Sequence, residues 1–468
     1  MAKIFALGAY FYQAILAFGL LIVVARLLQP SDYAGYSVFL AATQFGAIAA
    51  FEWIRFACTR FYPGLTPETE AAQRKTIVVE FALCAALCFA GGLLTIAFGA
   101  PMELAVLGGV VAVFQGGSDL HLTVVRFGKR FRAFSWLQGL RATLLAIGTI
   151  LGTIIGHGVL AAIIGMLAGY LAYTAMAIYL DRKAYAKGGQ WSRTVAREHL
   201  VYGSVSAGVS VLALLSPLGL KLILTSTLGA AGSAGVLLAL DLLQRPFTLI
   251  VSAMQAIQYP DVVEAFDRKD PALPRHLGQF YALLITLSLV AAAGVFVILR
   301  PVAILAVGPE LQAQFLATAP LVAIFSMLRS LTQNMSTTPA HLELNLKHLT
   351  LLALADCLSF NVLAFAASQV FGAASIAITG GAAIGAVLAG LFGLWIMASL
   401  RYELPRLPIL LGIAGAAVPA VLFFMPPGNE VESFLVSGVA AGAVSLLALY
   451  ALYRAMKREQ AVPKAIPA

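Results

Sequence analysis

Charge is the scarcest property of this sequence. Only 11% of its 468 residues are Asp, Glu, Lys or Arg, while 61% are hydrophobic, far from the near-even apolar share and quarter-charged content of a water-soluble domain. So little charge excludes a soluble globular body. Cysteine is also rare. The four present, Cys58, Cys84, Cys88 and Cys357, lie in or at the edges of apolar segments, with no CxxC and no Cys/His cluster. Cys84 and Cys88 share a helix face, but two thiols give a metal too few ligands, so the cysteines read as core packing.

Catalytic signatures are missing as well. There is no GxxxxGK[ST], HExxH or GxSxG, and no DxD pair of the kind that metal-dependent glycosyltransferases carry. The nearest phosphate-loop fragment, "FGKR" at 127–130, lacks the first glycine and the Ser/Thr. No connection between apolar stretches exceeds about 20 residues, which leaves no room for an extramembrane domain holding a nucleotide or sugar donor. The sequence calls for no cofactor, and work done by this chain must draw on an ion gradient, the membrane potential or the gradient of the cargo.

What the chain has in abundance is apolar stretches of about 20 residues, the length a helix needs to cross roughly 30 Å of hydrocarbon. Fourteen are read, centred near residues 16, 45, 87, 113, 148, 169, 211, 246, 287, 325, 358, 385, 416 and 443. They predict an all-α polytopic membrane protein, and their length excludes a β-barrel, whose strands are half as long and alternate. The first stretch begins at Ile4 and has no small-residue cleavage site, so it reads as a retained helix.

The basic residues orient the bundle. About 25 of the 30 Lys and Arg fall in one alternating set of connections, at the N-terminus, 55–75, 126–141, 182–197, 268–275, 347, 401–406 and from Arg454 onward. That set is expected to be cytoplasmic, with both termini on the same side. The net charge of +9 then reflects topology and anionic head groups, and no nucleic-acid partner is needed to explain it. The opposite connections are short and nearly free of Lys and Arg. In the first of them, Pro30 is expected to end one helix, Ser31 or Asp32 to cap the next, and Tyr33 and Tyr36 to anchor it at the interface.

An internal repeat is also visible. Displaced onto the region beginning at Gly219, the first hairpin matches without a gap: Gly19 on Gly219, Leu20 on Leu220, Leu28 on Leu228, Ala34 and Gly35 on Ala234 and Gly235, Leu40 on Leu240, and Gln44 on Gln244. The copies would share one orientation, which is the parallel-repeat plan of a transporter. The expected divisions are a six-helix lobe over 1–182, a second over 198–400, two additional helices over 405–456 and a tail over 457–468.

An ionised side chain at the centre of a membrane helix costs about 2.5 to 3.5 kcal/mol, so those retained there are functional candidates. The deepest are Asp241 and Arg245 in the eighth stretch, Arg329 in the tenth and Asp356 in the eleventh. Asp241 precedes Arg245 by one turn, in the favourable order for an ion pair, which could equally serve only to neutralise itself. Arg26 and Lys221 fall near outer helix ends, and Glu52 and Arg55 near an inner one, where long side chains also snorkel. Gln44, Gln244, Gln333, Asn334 and Asn361 add polar groups at depth. A cavity holding Arg26, Lys221, Arg245 and Arg329 suits an anionic cargo such as a diphosphate. Glu52, Asp241 and Asp356 are the candidates for binding a coupling proton or sodium ion. Asp356, with no basic residue nearby in its own helix, is the better proton carrier of the two deep aspartates.

"ARLLQPSDYAGYSVFLAATQF", residues 25–45, resembles the first hairpin of bacterial polysaccharide-export flippases, where a helix ending Ala-Arg-x-Leu is followed by Gly/x-Pro-x-Asp/Glu-Tyr-Gly-x-Tyr-Ser. Ala25, Arg26, Leu28, Pro30, Asp32, Tyr33, Tyr36 and Ser37 fit, while Gln29 and Ala34 stand where glycines are usual. "LLQRPFTLIVSAMQAIQYPDV", "VGPELQAQFLATAPLVAIFSML" and "LNLKH" are further similar patches. The resemblance is to the multidrug, oligosaccharidyl-lipid and polysaccharide exporter superfamily. It implies two six-helix lobes around an alternately opening cavity, and transfer of an undecaprenyl-diphosphate-linked oligosaccharide across the bacterial cytoplasmic (inner) membrane. Its implied partners are that lipid-linked oligosaccharide, membrane lipids and other polysaccharide assembly proteins. A cation-coupled drug or metabolite exporter of the same superfamily and a membrane-embedded glycan polymerase or ligase are the alternatives. A reporter fused after residue 188 should be active only as a cytoplasmic fusion, and periplasmic activity there would overturn the orientation.

Overall fold

Backbone amides in hydrocarbon find no water, so a segment there must satisfy its own hydrogen bonds, and a helix does so completely. The computed structural model describes residues 2–64, 66–180, 188–343, 345–425 and 430–460, and among them there is no strand. The helices are α1 (Ala2–Leu27), α2 (Pro30–Phe61), α3 (Pro67–Leu94), α4 (Met102–Phe127), α5 (Phe131–Gly156), α6 (Val159–Leu180), α7 (Arg193–Ile257), α8 (Tyr259–Asp267), α9 (Leu273–Ala306), α10 (Pro309–Leu331), α11 (Thr337–Leu342), α12 (Leu346–Phe371), α13 (Ser375–Met397), α14 (Arg406–Phe424) and α15 (Glu430–Gln460).

Twelve helices among the described residues are long and apolar enough to cross a bilayer, and Phe11–Leu27 is a shorter apolar stretch. One of the twelve, Ser206–Gln255 within α7, has 50 residues, about 75 Å of helix at 1.5 Å per residue and more than twice the hydrocarbon thickness. It is interrupted at Gly229, with φ 73° and ψ 168°, a conformation that side-chain-bearing residues avoid. The seventh and eighth expected stretches are therefore the two arms of α7. The fold is the all-α polytopic membrane architecture that the hydropathy demands.

Three local expectations need correction. Pro30 does not merely stop α1; it opens α2 at the first helical position, with Gln29 as the cap residue and no side-chain cap bond. Proline's fixed φ is preorganised for that place, so the helix begins before Ser31 or Asp32 could cap it. Tyr33 and Tyr36 are 0% and 1% exposed and belong to the core; they face inward, not toward an interfacial belt. Arg141, counted with a basic connection, lies well inside α5 and is buried.

The chain divides into two compact units within α7, Met1–Leu237 and Leu238–Ala468. The first arm of α7 thus packs with the first unit, although the sequence reading gave it to the second lobe. The expected boundary at 182 lies outside the described residues, as does the tail from 461. In the first unit α5 packs on α1 and α6, and α4 on α2, α3 and α6. In the second, α13 packs on α10 and α12, while α14 and α15 pack on each other and on α9.

Glycine brings helix pairs together in both units. A Cβ at Gly165 of α6 would stand 2.2 Å from the Gly148 carbonyl oxygen of α5, and one at Gly169 would stand 2.6 Å from that of Leu144. In the second unit a Cβ at Gly381 or Gly385 of α13 would stand 2.4 or 2.5 Å from the Leu363 or Ser359 carbonyl oxygen of α12. Ser359 Oγ also donates to the Gly385 carbonyl at 2.9 Å. Lipid tails are as apolar as side chains, so helices in a bilayer associate through such close backbone approach. Gly165→Leu should cost at least about 3 kcal/mol, the upper range for overpacking, because backbone has to move. Thermal melting in detergent should show that loss, while Gly294→Leu, with nothing within 4 Å of its Cβ position, should melt like the parent.

Candidate functional site: buried charge clusters in each unit

Removing a charge from water costs several kcal/mol unless a partner restores the lost interactions. The buried ions of this chain accordingly sit in clusters. In the second unit Arg329, near the end of α10, is 5% exposed and Asp356 of α12 is 3% exposed. Arg329 Nε donates to Asp356 Oδ1 at 2.9 Å and Nη2 to Oδ2 at 2.6 Å, the two-pronged geometry of a guanidinium on a carboxylate. Gln333 Nε2 adds a bond to Oδ2 at 3.1 Å, and the guanidinium lies 4.4 Å from the centre of the Phe360 ring.

The backbone beside this cluster is unusual. Residues Thr332–Ser336 form one π-helical turn between α10 and α11, a feature that recurs at functional sites. The turn is seated against α13, where a Cβ at Gly393 would stand 2.2 Å from Ser336 Oγ. It carries Gln333 toward Asp356, and Asn334 Oδ1 accepts from Gln255 Nε2 of α7 at 2.6 Å.

The first unit holds a counterpart that sequence reading missed. Arg141 of α5 donates through Nη1 to Ser118 Oγ at 3.0 Å and to Asp119 Oδ1 of α4. One pair joins α4 to α5 and the other joins α10 to α12. The acid comes first in the chain in the former and the base first in the latter. Asp119 was legible as a polar break in an apolar stretch, but Arg141 was concealed among loop cations.

Another missed cluster is centred on His199 at the start of α7, which is 0% exposed. Its Nδ1 lies 2.9 Å from Glu80 Oε2 and its Nε2 2.7 Å from Gln73 Oε1, both on α3. Phe61 of α2 stacks on the ring at 5.9 Å. Three helices of the first unit are pinned together there.

The remaining expected residues separate by environment. Lys221 is buried and donates from Nζ to Ser37 Oγ at 2.9 Å and to the Ser37 carbonyl at 3.2 Å. Glu52 is buried and takes a bond from Arg55 one turn on. Arg26 is exposed, while Asp241 and Arg245 are half-buried. Arg245 Nε donates to the main-chain carbonyl of Asp241 at 3.1 Å. The structure thus brings Arg329 to Asp356, one expected cargo ligand to one expected ion carrier. A partner 27 residues away in sequence is invisible to a reading confined to one helix.

Breaking such a pair leaves one ion stranded. Arg329→Met alone should lower stability by about 3 to 5 kcal/mol, and Arg329→Met with Asp356→Leu should recover most of it. Unfolding of the purified protein in detergent measures both. Failure of the double variant to recover would mean that the pair does more than neutralise itself.

Comparison with known proteins accords with this architecture. No curated protein matches the chain by sequence. Among solved structures, the lipid II flippase MurJ in an inward closed conformation superposes with a TM-score of 0.70 at 14% identity, covering 96% of this chain and 98% of that one. A multidrug resistance MATE family transporter of the MOP superfamily, in an inward-facing conformation, gives 0.63 at 15% identity over 83% and 94%. The MATE multidrug transporter DinF-BH gives 0.55 at 14% over 85% and 94%. At such identities these likenesses establish a shared fold. The family described as polysaccharide biosynthesis protein matches residues 23–272, more than half of the chain, and this protein belongs to that family.

Proposed function

We propose that this protein is a flippase that carries an undecaprenyl-diphosphate-linked oligosaccharide from the inner to the outer leaflet of the bacterial cytoplasmic membrane, by alternating access. The observation that carries this reading is the polysaccharide-biosynthesis family match, set on a membrane fold shared with a lipid II flippase. A transporter, not an enzyme, fits a chain whose chemistry-bearing groups are buried ion pairs and exposed cations. The two lobes of the proposed mechanism are those of the sequence reading, 1–182 and 198–400, with both termini cytoplasmic.

Anion recognition is assigned to Arg245, half-buried on the second arm of α7, and to Arg26, exposed at the end of α1, with Lys221 beside Ser37 in support. Arg329 acts through its pair with Asp356. Coupling to a proton or sodium ion is assigned to Glu52, Asp241 and Asp356, of which Glu52 and Asp356 must each yield an arginine to bind it.

The likeness to multidrug transporters supports a second reading, export of a small drug or metabolite. Surface glycan and dye efflux in cells whose own flippase is deleted separate the two. The chain should restore surface polysaccharide without dye efflux. Arg245→Ala should reduce restoration at least about tenfold, and Arg245→Lys should keep part of it because charge survives without the fork. Dye efflux with no surface glycan would establish the second reading instead.

A further inference from the structure

The first unit contains a cavity of about 380 Å³ between α3, α4 and α6, a volume within the ordinary range of ligand sites. It lies where α3 begins and where α4 and α6 end, hence on the side of the basic connections. Its walls are almost wholly apolar, and Phe81 and Gly117 are among the residues that form them. A Cβ at Gly117 would stand 3.1 Å from the Phe81 ring, so the glycine keeps that wall open. None of the residues assigned to cargo or coupling lines this space.

Two lining residues show what lies outside. Val78 is 54% exposed and Ile178 is 48% exposed, and on a helix embedded in a bilayer such side chains face hydrocarbon. An apolar cavity with an aliphatic rim in hydrocarbon admits an alkyl chain. Arg74, one turn before Val78 on α3, also lines the cavity. Arg74 Nη1 donates to Glu70 at 2.7 Å, whereas its Nε meets no acceptor among the described residues. Lys75, the next residue, is exposed. On the side of the basic connections, the Arg74 guanidinium and the neighbouring Lys75 ammonium complement the phosphate of an anionic head group.

We propose that this cavity binds one acyl chain of an anionic glycerophospholipid, with the lipid phosphate held at Arg74 and Lys75. The occupant is a component of the surrounding bilayer, distinct from the transported cargo, and the inference does not depend on what that cargo is. His121, also a lining residue, adds a polar group on the α4 wall.

Photocrosslinking tests the site directly. The full-length protein is placed in phosphatidylcholine vesicles containing a small fraction of phosphatidylglycerol with a photoactivatable acyl chain, and crosslinked peptides are mapped. Adducts should concentrate in 113–124 and 173–178, and phosphatidylcholine bearing the same chain should give roughly tenfold fewer, because it has the same phosphodiester but its choline ammonium cancels the net charge and is repelled by Arg74 and Lys75. Arg74→Gln should remove that preference, and Gly117→Leu should abolish adducts from both lipids. Should Gly117→Leu fail to fold, Val78→Trp closes the exposed rim without entering the core. Equal labelling by the two lipids, or labelling unchanged in Val78→Trp, would overturn the proposal. So would displacement of the probe by undecaprenyl diphosphate but not by unlabelled phosphatidylglycerol, since the cavity would then belong to the carrier lipid.

Discussion

A charge that enters a bilayer must find its counter-charge within the protein. That constraint organises the structure described here. Arg329 meets Asp356, Arg141 meets Asp119, and Glu52 takes Arg55 one turn along. His199 lies between Glu80 and Gln73. Each contact between helices also fixes which of them touch, because the attraction in a poorly polarisable interior is strong and the penalty for separation is large. The same pairs that neutralise the interior therefore act as register marks between helices that apolar side chains alone would leave free to slide.

Glycine supplies the complementary half of the design. Between α5 and α6, and between α12 and α13, main chains approach more closely than any Cβ would allow. At the π turn after α10, Gly393 leaves room for the Ser336 side chain. Ion pairs set register and glycine contacts set distance within each unit.

Much of this was readable in advance. Fourteen apolar stretches give the number and order of spans, because the length of a membrane helix is set by the bilayer and not by tertiary detail. The interruption of α7 at Gly229 falls between the stretches centred near 211 and 246, which hydropathy already separates. Partners were not legible. Asp356 looked free of basic neighbours because Arg329 reaches it from a different helix, and Arg141 looked like a loop cation because it follows Arg126, Lys129, Arg130 and Arg132 so closely. Tyr33 and Tyr36 have the composition of an interfacial belt, yet the direction a side chain takes around a helix depends on neighbours that hydropathy does not identify. A one-dimensional reading finds where charge is unusual, and packing decides what that charge does.

The central claim is that the protein moves a lipid-linked oligosaccharide between leaflets. The most direct measurement uses purified protein in vesicles loaded with an undecaprenyl-diphosphate oligosaccharide, following how much of it a membrane-impermeant sugar-modifying enzyme can reach over time. Vesicles holding the protein should expose the inner-leaflet pool far faster than protein-free vesicles, and Arg245→Ala should return the rate to that of the empty bilayer. Equal rates with and without the folded protein would contradict the account.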